Sequence, residues 1–445
     1  MVESHPPFTD KGIMGSGHLD VVGTDASGLE GLSEPWRARL LHADWVAAPR
    51  RLHPGLQLWC ARADPPPQIV ATDQPDVLLP WLTQALNAGQ QGVLLASGDP
   101  LWFGIGRLLV NTLPSECLTF HPAPTSLQLA FARLGRPWQD ASWLSLHGRD
   151  PEPLAEVLRR RPSALAILTD PGQWGAETVR QGLLAAGLEA CYAFWVFERL
   201  GHPQERWRRF PVLTPLPGDL DPLHLVVLLA EPPGWSDPEQ LPLFGLEDGF
   251  WLQIDDHPGL MTKREVRIQL LADLDLPPSG VLWDVGAGVG TVGLEALRLR
   301  PNLQLWAVER RPGAADLIRR NARRLGVEPA GVVEGLAPGA LANLPSPDRV
   351  LVGGGGRSRR DVVQTVLEHL KPNGKIVIPL ATVEALADLR SDLESAGLQV
   401  AVSQIQAWRG MPLGDGTRLA PLNPVFILKA WPAGPASGTP QGCPP

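Results

Sequence analysis

Short apolar runs alternate with stretches of helical spacing along most of this chain, a pattern that predicts an α/β protein. In the first half, Leu19–Gly23, Trp45–Ala48 and Gly92–Ala96 read as strands. A loop at Thr24–Leu32 leads into a helix ending near Ala43, and Leu78–Ala88 sets Leu78, Leu79, Leu82 and Leu86 on one helical face. Pro124 and Thr125 open a helix whose Leu127, Ala130, Phe131 and Leu134 face inward. A strand from Leu144 is closed by His147-Gly148-Arg149. In the second half, strands are predicted at Val281–Val285, Leu303–Val308, Gly331–Glu334, Arg349–Val352 and Leu370–Pro379. Helices are predicted at Thr291–Arg300, Ala314–Leu325 and Val383–Ala396. Thr262 caps a further helix running to Leu274, with Glu265 completing a capping box. Arg418–Ile427 closes the sheet as an antiparallel hairpin.

One stretch organises the second half. Val281–Val285 is uniformly apolar except for Asp284, as a strand buried on both faces would be. Gly286-Ala287-Gly288-Val289-Gly290 follows, and glycines there let backbone approach a ligand where a Cβ would clash. Glu309 then stands at the carboxyl end of the next strand, about 20 residues on, where a carboxylate can take a ribose hydroxyl pair. That leaves a dinucleotide or S-adenosylmethionine (SAM). The D-x-G-x-G-x-G spacing from Asp284 departs from the dinucleotide GxGxxG and resembles motif I of the class I SAM-dependent methyltransferases. That resemblance implies that Asp284, Gly286, Ala287, Gly288 and Gly290 hold the methionine end of SAM. It also implies that Glu309 holds the ribose and the Leu336-Ala337 backbone meets the adenine.

Composition narrows the picture. At 445 residues the chain is long enough for two or three domains. Glu231–Gly249 is rich in Pro and Gly and lacks periodicity, which places a junction there. The expected division is a domain at 18–232, a linker at 233–250 and a domain at 251–432, with disordered ends at 1–17 and 433–445. The net charge of −8 counts against nonspecific nucleic-acid binding. Cys60, Cys117, Cys191 and Cys443 form no metal or disulfide spacing, so no metal is expected. No apolar run reaches the ~18 residues of a membrane helix, and Met1–Gly17 lacks a signal-peptide core. A cytoplasmic protein without a membrane partner is expected.

Three first-half segments, LLASGDPLWFGIG (94–106), HPAPTSLQLAFARLG (121–135) and WLSLHGR (143–149), together resemble the CbiE-type tetrapyrrole methylases. The resemblance implies a two-lobed fold in which Gly98, Asp99 and Pro100, and the segment with Thr125 and Ser126, border SAM. The Gly23–Gly28 loop departs from the GxGPG turn usual in that family. GLMTKREVR, LWDVGAGVG, AVERR, VEGLAP, VGGGG and LNPVFI, in that order, resemble the CbiT-type half of corrin biosynthesis, a Rossmann-like class I fold. The two in tandem resemble the decarboxylating precorrin-6Y C(5,15)-methyltransferases. Membership would imply SAM-dependent methylation of carbons 5 and 15 of precorrin-6B or its cobalt form, with loss of CO₂ from the ring C acetate. The family also implies a homo-oligomer.

Base-amine methylases usually carry Asn/Asp-Pro-Pro-aromatic after the fourth strand, whereas this chain has Gly353–Gly356 followed by Arg357-Ser358-Arg359-Arg360. Bare backbone and arginines suit a flat ring bearing acids, because guanidinium forks pair with carboxylates. Lys263, Arg264, Gly354, Gly355, Arg357, Arg359 and Arg360 are therefore the substrate-binding candidates, and His257 is the one candidate acid or base. Two other readings stand beside this one. In the first, the N-terminal half is a corrinoid-binding module that feeds a catalytic C-terminal half. In the second, the C-terminal half methylates RNA or protein.

Overall fold

The computed structural model describes residues 17–146, 152–170, 172, 175–254, 261–354, 356–413 and 416–432. Strands β1 (His18–Thr24), β2 (Trp45–Ala48), β3 (Gln68–Ala71), β4 (Gln91–Ser97) and β5 (Leu118–His121) form a parallel sheet in the order β3-β2-β4-β1-β5. A second sheet follows from β6 (Ser142–Ser145), β7 (Ala164–Leu168), β8 (Tyr192–Glu198), β9 (Arg206–Phe210) and β10 (His224–Ala230), ordered β6-β7-β10-β8-β9. Only the β6–β7 pair is parallel there. These sheets are the two expected lobes. His147-Gly148-Arg149 lies outside the described residues.

The third sheet contains β11 (Ser279–Val285), β12 (Asn302–Glu309), β13 (Gly331–Glu334), β14 (Arg349–Val352), β15 (Lys375–Leu380) and β16 (Leu398–Ile405). A hairpin of β17 (Trp408–Leu413) and β18 (Gly416–Pro421) interrupts it before β19 (Val425–Pro432), giving the order β13-β12-β11-β14-β15-β19-β16. β11 is central, and its Val281, Leu282, Trp283, Asp284 and Val285 are all buried, as its apolar run requires. Only β19 runs against the others, and β16, antiparallel to it, resumes their direction.

Two expectations fail locally. The helix expected to start at a Thr262 cap spans Arg264–Asp273, its N-cap is Lys263, and no side chain caps it. Both Glu265 oxygens instead accept from Arg409, each at 2.9 Å. A bidentate charge-assisted pair outweighs the neutral backbone bond that a capping box would add. Arg418–Pro421 also leaves the main sheet. It pairs with Trp408 and its neighbours in the separate hairpin, and only β19 enters the sheet.

That hairpin packs on the second lobe. Met411 joins the buried cluster of Leu154, Leu158, Val179 and Leu183. Arg409 bonds Ala186 O at 2.7 Å and Asp248 Oδ2 at 2.9 Å, besides Glu265. Arg161 Nη1 donates to Asp248 O at 3.3 Å. The end of the Pro/Gly-rich junction is packed as well: Leu246, Phe250 and Trp251 belong to the C-terminal core. Arg267, which the sequence groups with the basic helix start, is fully buried against Glu295, with Nε–Oε1 at 2.8 Å.

Candidate functional site

Two cavities stand at the carboxyl ends of parallel strands, where open α/β sheets place ligands. The larger, about 540 Å³, lies between the lobes of the first half. Gly98, Asp99, Thr125 and Ser126 line it, together with Thr24, Asp25 and Ala26 of the divergent first loop. That loop is tied down: Thr24 Oγ1 donates to Ala96 O at 3.1 Å, and Gly98 N–H donates to Thr24 O at 2.6 Å. Thr125 caps its helix through a capping box with Gln128. A Cβ on Gly98, whose φ is +66°, would sit 3.2 Å from Thr125 Cα, so the two segments meet across bare backbone. Pro100 is buried behind this wall, where its carbonyl accepts from Gly106 N–H at 2.9 Å. It shapes the loop without lining the cavity. The opposite wall comes from the second lobe, with Thr169, Phe197 and His224. Residues so distant in sequence carry no local signal that would have singled them out.

The second cavity, about 490 Å³, opens over β11 and β12. Gly286, Ala287, Gly288, Glu309, Leu336, Ala337 and Gly354 line it. The turn needs its glycines, since φ is +79° at Gly286, +59° at Gly288 and +85° at Gly290. A Cβ on Gly286 would stand 2.6 Å from Gly354 N and Cα. Glu309 is 4% exposed. Its Oε2 accepts from Gly288 N–H at 2.9 Å, and its Oε1 accepts from the N–H groups of Arg310 at 3.0 Å and Arg311 at 3.2 Å. The carboxylate thus joins the glycine turn to the end of β12 while facing the cavity.

Asp284 and Gly290 do not reach the cavity wall. Asp284 lies beneath the turn, and its Oδ2 accepts from Gly293 N–H at 3.1 Å, holding the start of helix Thr291–Leu299. Burial pushes its carboxyl up to about 7, with the Glu309 charge adding to the effect and the Gly293 bond opposing it. Gly290 provides the left-handed N-cap of that helix.

The substrate-binding candidates divide. Lys263 lines the cavity, and burial lowers its ammonium pKa against the opposing pull of Asp248. Arg264 turns away, with Nε on Gly245 O at 2.6 Å and near Glu247 Oε1 at 3.4 Å. Arg359 Nε donates to Gly354 O at 3.0 Å and so braces the glycine loop from behind. Arg360 is exposed and paired with Asp392 at 2.6 Å, away from the cavity. The expectation of a common arginine rim therefore fails for Arg264 and Arg360, because nearer acceptors take their guanidinium groups. His257, Gly355 and the Arg357 side chain lie outside the described residues. The cavity also has lining residues that were not singled out: Arg159, Arg310, Arg311, Met261 and Asn423. Arg310 and Arg311 directly follow Glu309 and were legible from the strand's end, whereas Arg159 comes from the other half of the chain. Among the described residues no group of three or more His, Cys, Asp or Glu side chains could hold a metal ion. No described helix is long and apolar enough to cross a membrane.

Two family descriptions match separate parts of the chain. Residues 18–214 match the family described as Tetrapyrrole (Corrin/Porphyrin) Methylases, and residues 254–431 match that described as Precorrin methyltransferase domain. A precorrin-6Y C(5,15)-methyltransferase [decarboxylating] from Sinorhizobium sp is 34% identical over 338 residues, 76% of this chain and 79% of that protein. One of the same name from Mycobacterium tuberculosis is 30% identical over 412 residues, 91% of this chain and 97% of that protein. A crystal structure of precorrin-6y C5,15-methyltransferase from Geobacter metallireducens is 34% identical, with a TM-score of 0.40. It covers 43% of this chain and 99% of that chain. With relatives this similar along most of both lengths, the chain belongs to the family of decarboxylating precorrin-6Y C(5,15)-methyltransferases.

Proposed function

We propose that this SAM-dependent methyltransferase adds methyl groups to carbons 5 and 15 of precorrin-6B or its cobalt form and releases the ring C acetate carboxyl as CO₂. In this reading 18–232 methylates carbon 5. Residues 251–432, reached through 233–250, carry out the carbon 15 methylation and the decarboxylation. The observation that carries the reading is the second cavity, where a glycine turn, a buried acceptor at Glu309 and the Lys263 cation share one space.

The residues fit SAM. Gly286 packs so closely on the Gly354 backbone that a single Cβ would clash, which keeps this part of the cavity wall bare backbone. Glu309 offers carboxylate oxygens of the kind that take a ribose diol, and the Gly335–Ala337 backbone borders the same space. When bound, SAM supplies an electrophilic methyl group. Around it the protein fixes distance and angle and excludes water from the reacting carbon, effects that can supply most of such a barrier reduction. Lys263 faces the region where a substrate carboxylate would dock. Decarboxylation leaves an electron pair that the conjugated ring can accept, so it requires no nucleophile from the protein.

The test is mass spectrometry after incubation with SAM and precorrin-6B, or with the cobalt form. A gain of two methyl groups with loss of one CO₂ is expected. Gly98→Val is expected to leave one methyl with CO₂ loss, and Glu309→Ala one methyl without it. If the N-terminal half only binds corrinoid, the unaltered enzyme will add one methyl and lose CO₂. No mass change with either ring would overturn the corrinoid reading.

A further inference from the structure

The second cavity is not built by its own half alone. Arg159, on the helix Glu152–Arg160 of the tetrapyrrole-methylase half, lines it alongside Lys263. A small adjoining cavity of about 40 Å³ is lined by Arg159, Arg161, Lys263 and Arg409, with Asp248 the one acid in its wall, and extends the largely cationic surface across the junction. Arg159 Nη1 donates to Pro421 O at 3.2 Å, at the foot of the β17–β18 hairpin. Its place is fixed by the docking already described: Met411 sits in the second-lobe core, and Arg409 is tied to Ala186 O. Like charges gathered at a cavity mouth repel one another unless an anion joins them. Arg409 is occupied by Glu265 and Asp248. Among the described residues the Arg159 guanidinium bonds a single neutral carbonyl, which leaves donors for a ligand.

We infer that Arg159 is a substrate-specificity residue of the C-terminal site, contributed across the domain junction to bind a peripheral carboxylate of the macrocycle beside Lys263. This rests on the corrinoid reading. The C-terminal reaction then depends on the N-terminal half for substrate recognition.

The test compares Arg159→Ala and Arg159→Lys with Arg160→Glu, a neighbouring change on the same helix but away from the cavity. Each full-length variant is given SAM and precorrin-6B or its cobalt form, and SAM affinity is measured by calorimetry. Arg159→Ala is expected to raise the KM of the decarboxylating step about tenfold, the loss of one charge-assisted bond. SAM affinity and carbon 5 methylation stay unchanged, and product that has gained one methyl without losing CO₂ accumulates. Arg159→Lys recovers part of the loss because it keeps the charge but not the fork. An unchanged KM in Arg159→Ala overturns the inference, and so does an equal rise in Arg160→Glu. If the unaltered enzyme acts on neither ring, the corrinoid reading is what fails.

Discussion

Asp284 makes the stability of the C-terminal half depend on pH in a direction opposite to that of most carboxylates. It is fully buried, its carboxyl accepts from Gly293 N–H, and burial raises its pKa from 3.8 to about 7. A native state that holds a proton more tightly than the unfolded chain is favoured below both values. It loses that advantage as pH rises from about 4 to about 7. At 1.36 kcal/mol per pKa unit, the full loss is about 4 kcal/mol once Asp284 is ionised. Asp284→Asn keeps an oxygen to accept from Gly293 and removes the titration. Groups not coupled to position 284 titrate equally in both proteins, so the difference between their melting temperatures reports this carboxyl and its coupling to Glu309. From pH 5 to pH 8 the variant is expected to gain roughly 2–3 kcal/mol on the parent, about 5–10 °C for a domain of this size. Calorimetry across that range is the assay. Parallel pH profiles for the two proteins would refute the assignment of a protonated Asp284.

Gly286→Ala places a Cβ 2.6 Å from the Gly354 backbone at a φ of +79°. SAM affinity measured by calorimetry is expected to fall at least about tenfold, with about 1–2 kcal/mol of added backbone strain; unchanged affinity would remove the turn from the binding site. Arg409→Met removes the 2.9 Å partner of the buried Asp248 carboxylate and leaves it Arg267 at 3.6 Å and the Lys263 charge nearby. A cost of about 3 kcal/mol is expected, read as earlier melting and faster proteolytic cleavage between 233 and 250; a melting curve and cleavage rate like the parent's would show the junction does not need that pair.

The strands were legible wherever the chain is buried on both faces. Trp45–Ala48 and Arg349–Val352 have the bounds their apolar runs predict, because backbone in a sheet interior has no alternative partner. Charged residues were legible only where their partners are local. Glu309 follows from its spacing to the glycine turn, but Glu265 was assigned to a capping bond and is claimed by Arg409, 144 positions away. Arg267 follows Lys263 and Arg264 in one basic stretch, which gives no local sign that it is buried. Its partner Glu295 lies on the inward face of the helix after the glycine turn, between Leu294 and Ala296, and an acid set in an apolar stripe was the available signal for a buried pair. Periodicity says which face is inward, and it does not say which distant charge will be met there.

The hairpin shows how that long-range information reaches the site. β17 and β18 are inserted between β16 and β19, and the residues at the insertion points are themselves cavity walls: Ile405 and Ala407 on one side, Leu422, Asn423 and Val425 on the other. Leu422 N–H donates to Ala407 O at 2.8 Å, closing the base of the hairpin. The element that anchors the two halves together is therefore continuous with the wall of the second cavity. A shift of the hairpin on the second lobe would move Ala407 and Leu422 with it, because a closed two-stranded base transmits displacement along both strands. Arg159 bonds to Pro421 at that base, so the same displacement would carry the trans-domain cation relative to Glu309 and the glycine turn. Fusing the two methyltransferases in one chain thus does more than raise their local concentration, because the docking of one half sets the shape and the charge of the other's site.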